Sequence, residues 1–189
     1  TDWARNKILS FFSVLNRNKV VHLIIKYAKD SSNMKYHIVT IGCQMNKSDS
    51  ERLSYYLESF NCRYSKDISR ANLIFINTCG VRQSAEDRVY GLIPEIKKQN
   101  KKGKIIITGC LSQRKDVQKR LARKVDMWLP VVELPNLAIK MGWQKGSLKH
   151  LNPSDYLKID PKLNSNFKAF VPIGNGCNNF CSYCVVPYA

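Results

Sequence analysis

Long apolar runs, acidic residues and histidine are all scarce in this sequence of 189 residues. Two apolar stretches, 8–15 and 20–25, are separated by the polar residues 16–19, and neither approaches the roughly 20 apolar residues that a membrane span needs. No small-residue cleavage site follows them, which argues against a secretory signal peptide. Long internal repeats and low-complexity tracts are absent too, and the apolar fraction of 44% is typical of a globular protein.

Because acidic residues are scarce, the chain carries a strong positive charge. The 14 Asp and Glu residues face 31 Lys and Arg residues, which gives a net charge of +17. A field of this sign attracts phosphates, so nucleic acid is the leading class of partner, with an anionic membrane surface behind it. The basic residues concentrate in 97–104 and 114–124. A charged helix face can also serve solubility alone, so no single lysine is assigned a contact.

From residue 35 onward the pattern alternates between strand and helix. Apolar segments predict strands at 36–41, 72–77, 104–108 and 127–132. Amphipathic segments predict helices at 46–60, 81–100, 112–125 and 133–143. Apolar strands that alternate with helices indicate an α/β fold, an open parallel sheet with helices on both faces. Ser48 and Glu51 predict a capping box at the first helix, and Pro94 predicts a kink or break in the second.

The chain divides into parts by composition. We expect a folded domain at 35–145 and, because prolines and polar residues then replace the periodic pattern, a linker at 146–166. A further strand is predicted at 167–173. Residues 1–34 precede the first strand and are expected to be an extension that need not be native, since a natural-looking start stands at Met34.

Disulfide frameworks are typical of small, loop-rich secreted domains, whereas this chain is larger, has an odd number of cysteines, seven, and shows regular strand and helix signals. The cysteines are therefore better interpreted as reduced thiols that serve a metal. Cys43, Cys79 and Cys110 each stand just after a predicted strand. The carboxyl ends of parallel strands share one edge, where ligands bind, so we expect these thiols to share a site. Otherwise they are ordinary buried cysteines, which is our interpretation of Cys62.

The other three cysteines, Cys177, Cys181 and Cys184, have a C-x3-C-x2-C spacing on one short loop. Thiolates in this number suit an iron–sulfur cluster or zinc. Structural zinc takes four ligands, and no histidine lies nearby, so a cluster with one iron free of protein thiolate is favoured. The residues alone leave two alternatives, a zinc-stabilised nucleic-acid-binding module and a flavodoxin-like domain with incidental cysteines.

Four separated motifs occur in order over residues 35–189: TIGCQMNKSDSERL, FINTCGVRQSAEDRVYG, ITGCLSQR and GCNNFCSYCVVPYA. Together they resemble the radical S-adenosylmethionine (SAM) methylthiotransferase family. The GCQMN form is most similar to the branch that modifies an isopentenylated adenosine next to the tRNA anticodon, the tRNA-2-methylthio-N6-dimethylallyladenosine synthases. The resemblance implies a methylthiotransferase N-terminal domain at 35–145. It also implies that 167–189 is the first strand and cluster loop of a truncated radical SAM partial (β/α) barrel. The chain would then be an N-terminal fragment that is inactive alone.

The resemblance also implies the cofactors, two 4Fe-4S clusters and SAM. The implied ligands are Cys177, Cys181 and Cys184 for the radical SAM cluster, and Cys43, Cys79 and Cys110 for an auxiliary cluster on the sulfur side of the reaction. Tyr183 would lie beside SAM, and no catalytic side chain is assigned. The polar residues next to the first set, which could bond cluster sulfurs or simply cap turns, are Gln44, Asn46, Asn77 and Thr78.

The partners follow from the same resemblance. They are tRNA and an electron donor such as a flavodoxin or ferredoxin, and we expect a cytoplasmic monomer without a membrane partner. Within the family, the alternative is an enzyme that acts on another tRNA base or on a ribosomal protein.

Overall fold

The computed structural model describes residues 31, 33–143, 153–174, 176–184 and 186–188. In these residues, five parallel strands form one sheet in the order β2-β1-β3-β4-β5. The helices and strands, in chain order, are β1 (Lys35–Ile41), α1 (Gln44–Ser59), β2 (Arg63–Tyr64), β3 (Leu73–Thr78), α2 (Gln83–Gln99), β4 (Lys104–Thr108), α3 (Lys115–Leu121), β5 (Met127–Leu129) and α4 (Leu137–Met141). The α/β fold class is therefore as predicted.

Alternate residues of the strands build two separate cores. On one face, Leu73 and Phe75 pack with the apolar side of α1 and with α4, and on the other face Ile74 and Ile76 pack with α2 and α3. All four side chains are at most 1% exposed. A strand that is buried on both faces has to be apolar throughout, which is why these segments were recognisable from sequence.

The register aligns the ends of the three central strands. Thr40 pairs with Asn77, and Asn77 pairs with Thr108. The loops after β1, β3 and β4 therefore leave the sheet side by side at its carboxyl edge.

Helix α1 begins earlier than predicted. Its N-cap is Cys43, and the side chain of Asn46 accepts a hydrogen bond from the Cys43 backbone N–H at 3.1 Å. Ser48 and Glu51, the predicted capping pair, lie inside the helix, where the Ser48 hydroxyl accepts from Arg52 at 2.8 Å. The prediction was wrong because Asn46 makes the reciprocal bond one turn earlier.

Three other helix predictions needed correction. Helix α2 runs unbroken through Pro94, because buried Val89, Ile93 and Ile96 hold it on the sheet on both sides of the missing N–H. The segment 112–125 is α-helical only over α3, preceded by a 3₁₀ turn at Cys110–Gln113.

The predicted closing helix is divided in the same way. A 3₁₀ turn at Val131–Asn136 leads into the short α4, which ends at the left-handed Gly142. The predicted strand 127–132 stops at Leu129, since Pro130 has no N–H for a ladder.

Part of the predicted linker packs on the domain. Tyr156 and Ile159 are each only 1% exposed, and the Lys162 backbone N–H donates to the carbonyl of Glu51 at 3.0 Å. The domain boundary itself stays a prediction. No strand forms at 167–173, where Phe167 and Ile173 are fully exposed, because no neighbouring strand in the described residues pairs with this segment.

The predicted extension, up to residue 30, lies outside the described residues. Among the residues that are described, no helix has the length and apolar character to cross a lipid bilayer.

Candidate functional site at the carboxyl edge of the sheet

Three cysteines occupy equivalent positions at the carboxyl edge. Cys43, Cys79 and Cys110 follow β1, β3 and β4, which are adjacent strands. All three are free thiols, Cys79 buried and the other two partly buried. The Cys79 backbone N–H continues the ladder by donating to Ile41 at 3.0 Å. The sheet therefore brings together residues that lie far apart in the sequence, as the strand pattern predicts.

Two glycines allow the cysteine loops to touch. A Cβ added to Gly42 would lie 3.0 Å from the Cβ of Cys79. A Cβ added to Gly80 would lie 3.0 Å from the Cys110 carbonyl carbon and the Leu111 nitrogen, and 3.2 Å from the Cys110 Cβ. Because only a hydrogen occupies these places, the three loops pack directly against one another.

The pKa of the Cys110 thiol also reflects how close the other two cysteines lie. Burial raises the pKa of this thiol, and the nearby Cys79, Asp49 and Cys43 raise it further, while a hydrogen bond from the Gly80 backbone opposes them. A thiol whose pKa is raised in this way stays protonated and unreactive until a cation compensates the charge of its thiolate. Such a group suits a metal centre better than a nucleophile.

A polar network begins at these thiols. The Cys43 Sγ–H donates to Asn46 Oδ1 at 3.4 Å, and the Asn46 amide donates to Asn77 at 3.1 Å. Asn77 in turn donates to the Ser50 hydroxyl at 2.9 Å, which lies 2.8 Å from that of Thr40. The network fixes the start of α1 against β3 and thereby holds Cys43.

The four polar neighbours of the first cysteine set behave differently. Asn46 contacts the Cys43 sulfur, whereas Asn77 bonds to Asn46 rather than to a sulfur. Thr78 Oγ1 is buried without a partner in the described residues, and Gln44 is exposed. The unpartnered Thr78 hydroxyl lies directly before Cys79 and is the kind of group that a ligand at this edge would satisfy.

The donor set at the carboxyl edge consists of three soft thiols, the ligand type of iron–sulfur clusters. In the described residues, no group of three or more His, Cys, Asp or Glu side chains is arranged to hold one metal ion. The ligands of a cluster bind different irons and stand around a larger body than one ion. Three thiols on neighbouring loops suit such a cluster in number and type, and their role as its ligands stays a prediction.

The second set of cysteines lies on an irregular loop. Cys177 and Cys181 are exposed and Cys184 is partly buried. The Cys184 backbone N–H donates to Cys181 at 2.9 Å, which closes a turn between these two residues. Tyr183, in that turn, is 91% exposed. The backbone turn holds two of the three thiols on one short stretch, and the ligand role of this set stays a prediction.

The basic stretches are partly neutralised within the chain. Arg114 pairs with Glu86 at 2.8 Å and also with Asp116, and Lys97 pairs with Asp126 at 3.2 Å. These side chains are less available to phosphates than the sequence suggests.

Asp49 is a residue that sequence analysis missed. It is 7% exposed, and its Oδ1 has no hydrogen-bond partner among the described residues. Burial raises the pKa of this carboxyl to about 7, against the attraction of Arg52. The sequence held no signal of this, because an Asp in a helix is usually solvated.

Comparison with known proteins identifies the family to which the chain is similar. The profile of "Uncharacterized protein family UPF0004" matches residues 35–130, about half of the chain. Three curated relatives, each named tRNA-2-methylthio-N(6)-dimethylallyladenosine synthase, come from Caldicellulosiruptor saccharolyticus, Dictyoglomus thermophilum and Syntrophomonas wolfei. They are 38%, 40% and 38% identical over 86%, 82% and 85% of this chain.

The alignments cover 37%, 37% and 38% of these relatives, so the chain spans a little over a third of their length. The resemblance seen in the cysteine motifs is thereby confirmed, and the chain belongs to Uncharacterized protein family UPF0004.

Proposed function

We propose that this chain is part of a radical SAM methylthiotransferase that adds a methylthio group to an isopentenylated adenosine next to the tRNA anticodon. The observation that carries the proposal is the meeting of Cys43, Cys79 and Cys110 at one sheet edge. The names of the curated relatives support the substrate and the reaction. The whole activity belongs to a longer protein of the relatives' kind.

The proposed cofactors are two 4Fe-4S clusters and SAM. Cys43, Cys79 and Cys110 would hold the auxiliary cluster. The compact loop would hold the radical SAM cluster through Cys177, Cys181 and Cys184, with Tyr183 near SAM. When bound, these groups supply the radical chemistry and the sulfur and methyl groups, which side chains cannot supply.

The chain's own residues supply position and environment. The glycines at 42 and 80 let the three loops close on one centre, and Asn46 fixes Cys43 at the start of α1. The apolar strands beneath keep water from one side of the edge. Each cysteine set leaves a cluster one protein ligand short, which is the arrangement that leaves an iron open to a substrate or cofactor.

The partners proposed are tRNA and a small electron-transfer protein such as a flavodoxin or ferredoxin. The net charge of +17 supports a polyanionic substrate. The finer choice of substrate, an isopentenylated adenosine rather than another base or a ribosomal protein, is supported by the printed names of the relatives.

A chimaera tests the proposal. Residues 35–189 replace the matching part of the Caldicellulosiruptor relative, and the chimaera is expressed in a bacterium that lacks this tRNA modification. Mass spectrometry of tRNA nucleosides should detect the methylthio-isopentenyl adenosine. Replacing Cys43, Cys79 and Cys110 by Ala should abolish the product, whereas the matched control Cys62→Ala should retain it. An iron-loaded chimaera that leaves tRNA unmodified would refute the proposal.

A further inference from the structure

A cavity of about 250 Å³ lies one helical turn from Cys43. The Lys47 backbone N–H donates to the Cys43 carbonyl at 3.3 Å, and the Lys47 side chain lines the cavity. The end of β1, through Thr40, and the segment 164–170 form the other walls. A ligand here would therefore lie beside the cysteine edge.

Two ammonium groups converge on this cavity. The Nζ atoms of Lys47 and Lys168 lie 5.9 and 5.4 Å from the ring centre of Phe170. Neither lysine forms a salt bridge with another residue in the described part of the chain. Two cations that are held at one aromatic ring without a salt-bridge partner in the described residues favour an anion between them.

Glu51 also lines this cavity and carries a buried acceptor. Glu51 is only 6% exposed; its Oε1 accepts from Asn164 at 3.3 Å, and its Oε2 has no partner within the described ranges. A buried carboxylate oxygen without a donor is unfavourable, and a ligand hydroxyl would satisfy it. The cavity therefore favours a ligand that carries both an anionic group and a hydroxyl.

The groove continues beyond the first cavity. A second cavity of about 260 Å³ shares Thr40, Ser50 and Asn164 with it and is lined by Tyr64. The Tyr64 ring is half exposed and stacks on His37 with the centroids 5.9 Å apart. An exposed, supported aromatic ring next to a cationic cavity is a platform on which a base can stack.

We infer that this groove binds a single-stranded segment of RNA. A phosphate lies between Lys47 and Lys168, a ribose 2′-hydroxyl donates to Glu51 Oε2, and a neighbouring base stacks on Tyr64. The 2′-hydroxyl is the group by which a protein distinguishes RNA from DNA. The inference rests on the proposed function for the choice of partner, since it puts the substrate strand next to the cysteine edge.

The test measures how tightly the 189-residue chain binds two fluorescein-labelled oligonucleotides, an RNA and a DNA of the same 12-nucleotide sequence. Binding is followed by fluorescence anisotropy. The wild-type chain should prefer RNA. Glu51→Ala should lower that preference about tenfold, the worth of one hydrogen bond to a charged group. Glu51→Gln, which keeps an acceptor oxygen and the side chain's size, should lower the RNA preference by less than Glu51→Ala does. It also provides the answer if the alanine variant does not fold, because a Gln variant that then matches wild type contradicts the inference.

The lysines predict a different signature. Changing both Lys47 and Lys168 to Ala should weaken RNA and DNA binding equally and reduce the salt slope by about one to two. The matched control removes two exposed lysines, Lys101 and Lys104, at the amino end of β4 and away from both cavities, and should change RNA binding less than about twofold.

Three outcomes would overturn the inference. They are equal binding of RNA and DNA by the wild-type chain, an RNA preference that survives Glu51→Ala, and displacement of the oligonucleotide by free AMP at similar concentrations, which would indicate a nucleotide site. An active chimaera, together with an RNA preference that Glu51→Ala leaves unchanged, would refute only this inference. A Glu51-dependent preference with an inactive chimaera would refute only the proposed function.

Discussion

Gly80→Ala should destabilise the chain although alanine is normally the better residue. Gly80 does not have a positive φ, so the backbone itself tolerates a side chain. The added Cβ, however, would lie 3.0 Å from the Cys110 carbonyl carbon and the Leu111 nitrogen. Ordinary carbon contacts are about 3.5–4.0 Å, so the two loops would have to separate by a few tenths of an ångström.

The loops cannot separate freely. Cys79 is tied to β1 through its backbone hydrogen bond to Ile41, and Leu111 is fully buried in the core. Overpacking of this kind costs about 1–3 kcal/mol. For a chain of this size, a loss of about 2 kcal/mol lowers the Tm by about 4–8 °C. Urea unfolding followed by circular dichroism measures the free energy, with the slope m as a check on two-state behaviour.

The chain contains a matched control. Gly91 is exposed within α2, and a Cβ added there meets nothing within 4 Å. Gly91→Ala should therefore stabilise the chain by about 1 kcal/mol through helix propensity. Two identical substitutions thus have opposite predicted signs. Equal or higher stability of the Gly80 variant would refute the close packing of the cysteine loops.

Three further predictions concern stability. Asn100→Ala should cost about 2–4 kcal/mol in urea unfolding, because its buried amide makes four hydrogen bonds to backbone groups; a cost under about 1 kcal/mol would contradict this. Ile159→Ala should lower the free energy of unfolding by about 2–5 kcal/mol, whereas Leu163→Ala, at a half-exposed side chain, should change it little. Equal effects of the two substitutions would show that the segment does not pack on the domain. The pKa of Asp49 is raised to about 7 in the folded chain, so between about pH 4 and 7 the folded state binds more protons and stability falls as pH rises. Asp49→Asn should remove that fall, and an unchanged pH slope would assign it to other groups.

The sheet was predictable because its strands are buried on both faces. Segments such as NLIFIN and KIIIT have one structural interpretation, and the positions of Cys43, Cys79 and Cys110 followed from parallel strand order alone. Helix boundaries were less predictable because they depend on single contacts. Cys43 rather than Ser48 caps α1, with Asn46 as its reciprocal partner, and packing on the sheet keeps α2 continuous through Pro94.

The charged residues gave the least information in the sequence. Nothing in the one-dimensional pattern distinguishes Asp49 and Glu51, whose side chains are buried, from ordinary solvated helix residues. Glu51 bonds to a segment more than 100 residues later, through Lys162 and Asn164. Contacts of such long range cannot be read from local periodicity.

The iron content of alanine variants tests the central claim most directly. After anaerobic reconstitution, the wild-type chain should hold about eight iron atoms and eight sulfides, and the Cys62→Ala control should match it. Replacing Cys43, Cys79 and Cys110 together by Ala should leave about four of each, held by the C-x3-C-x2-C loop. Wild-type iron content in that triple variant would contradict a cluster at the carboxyl edge of the sheet.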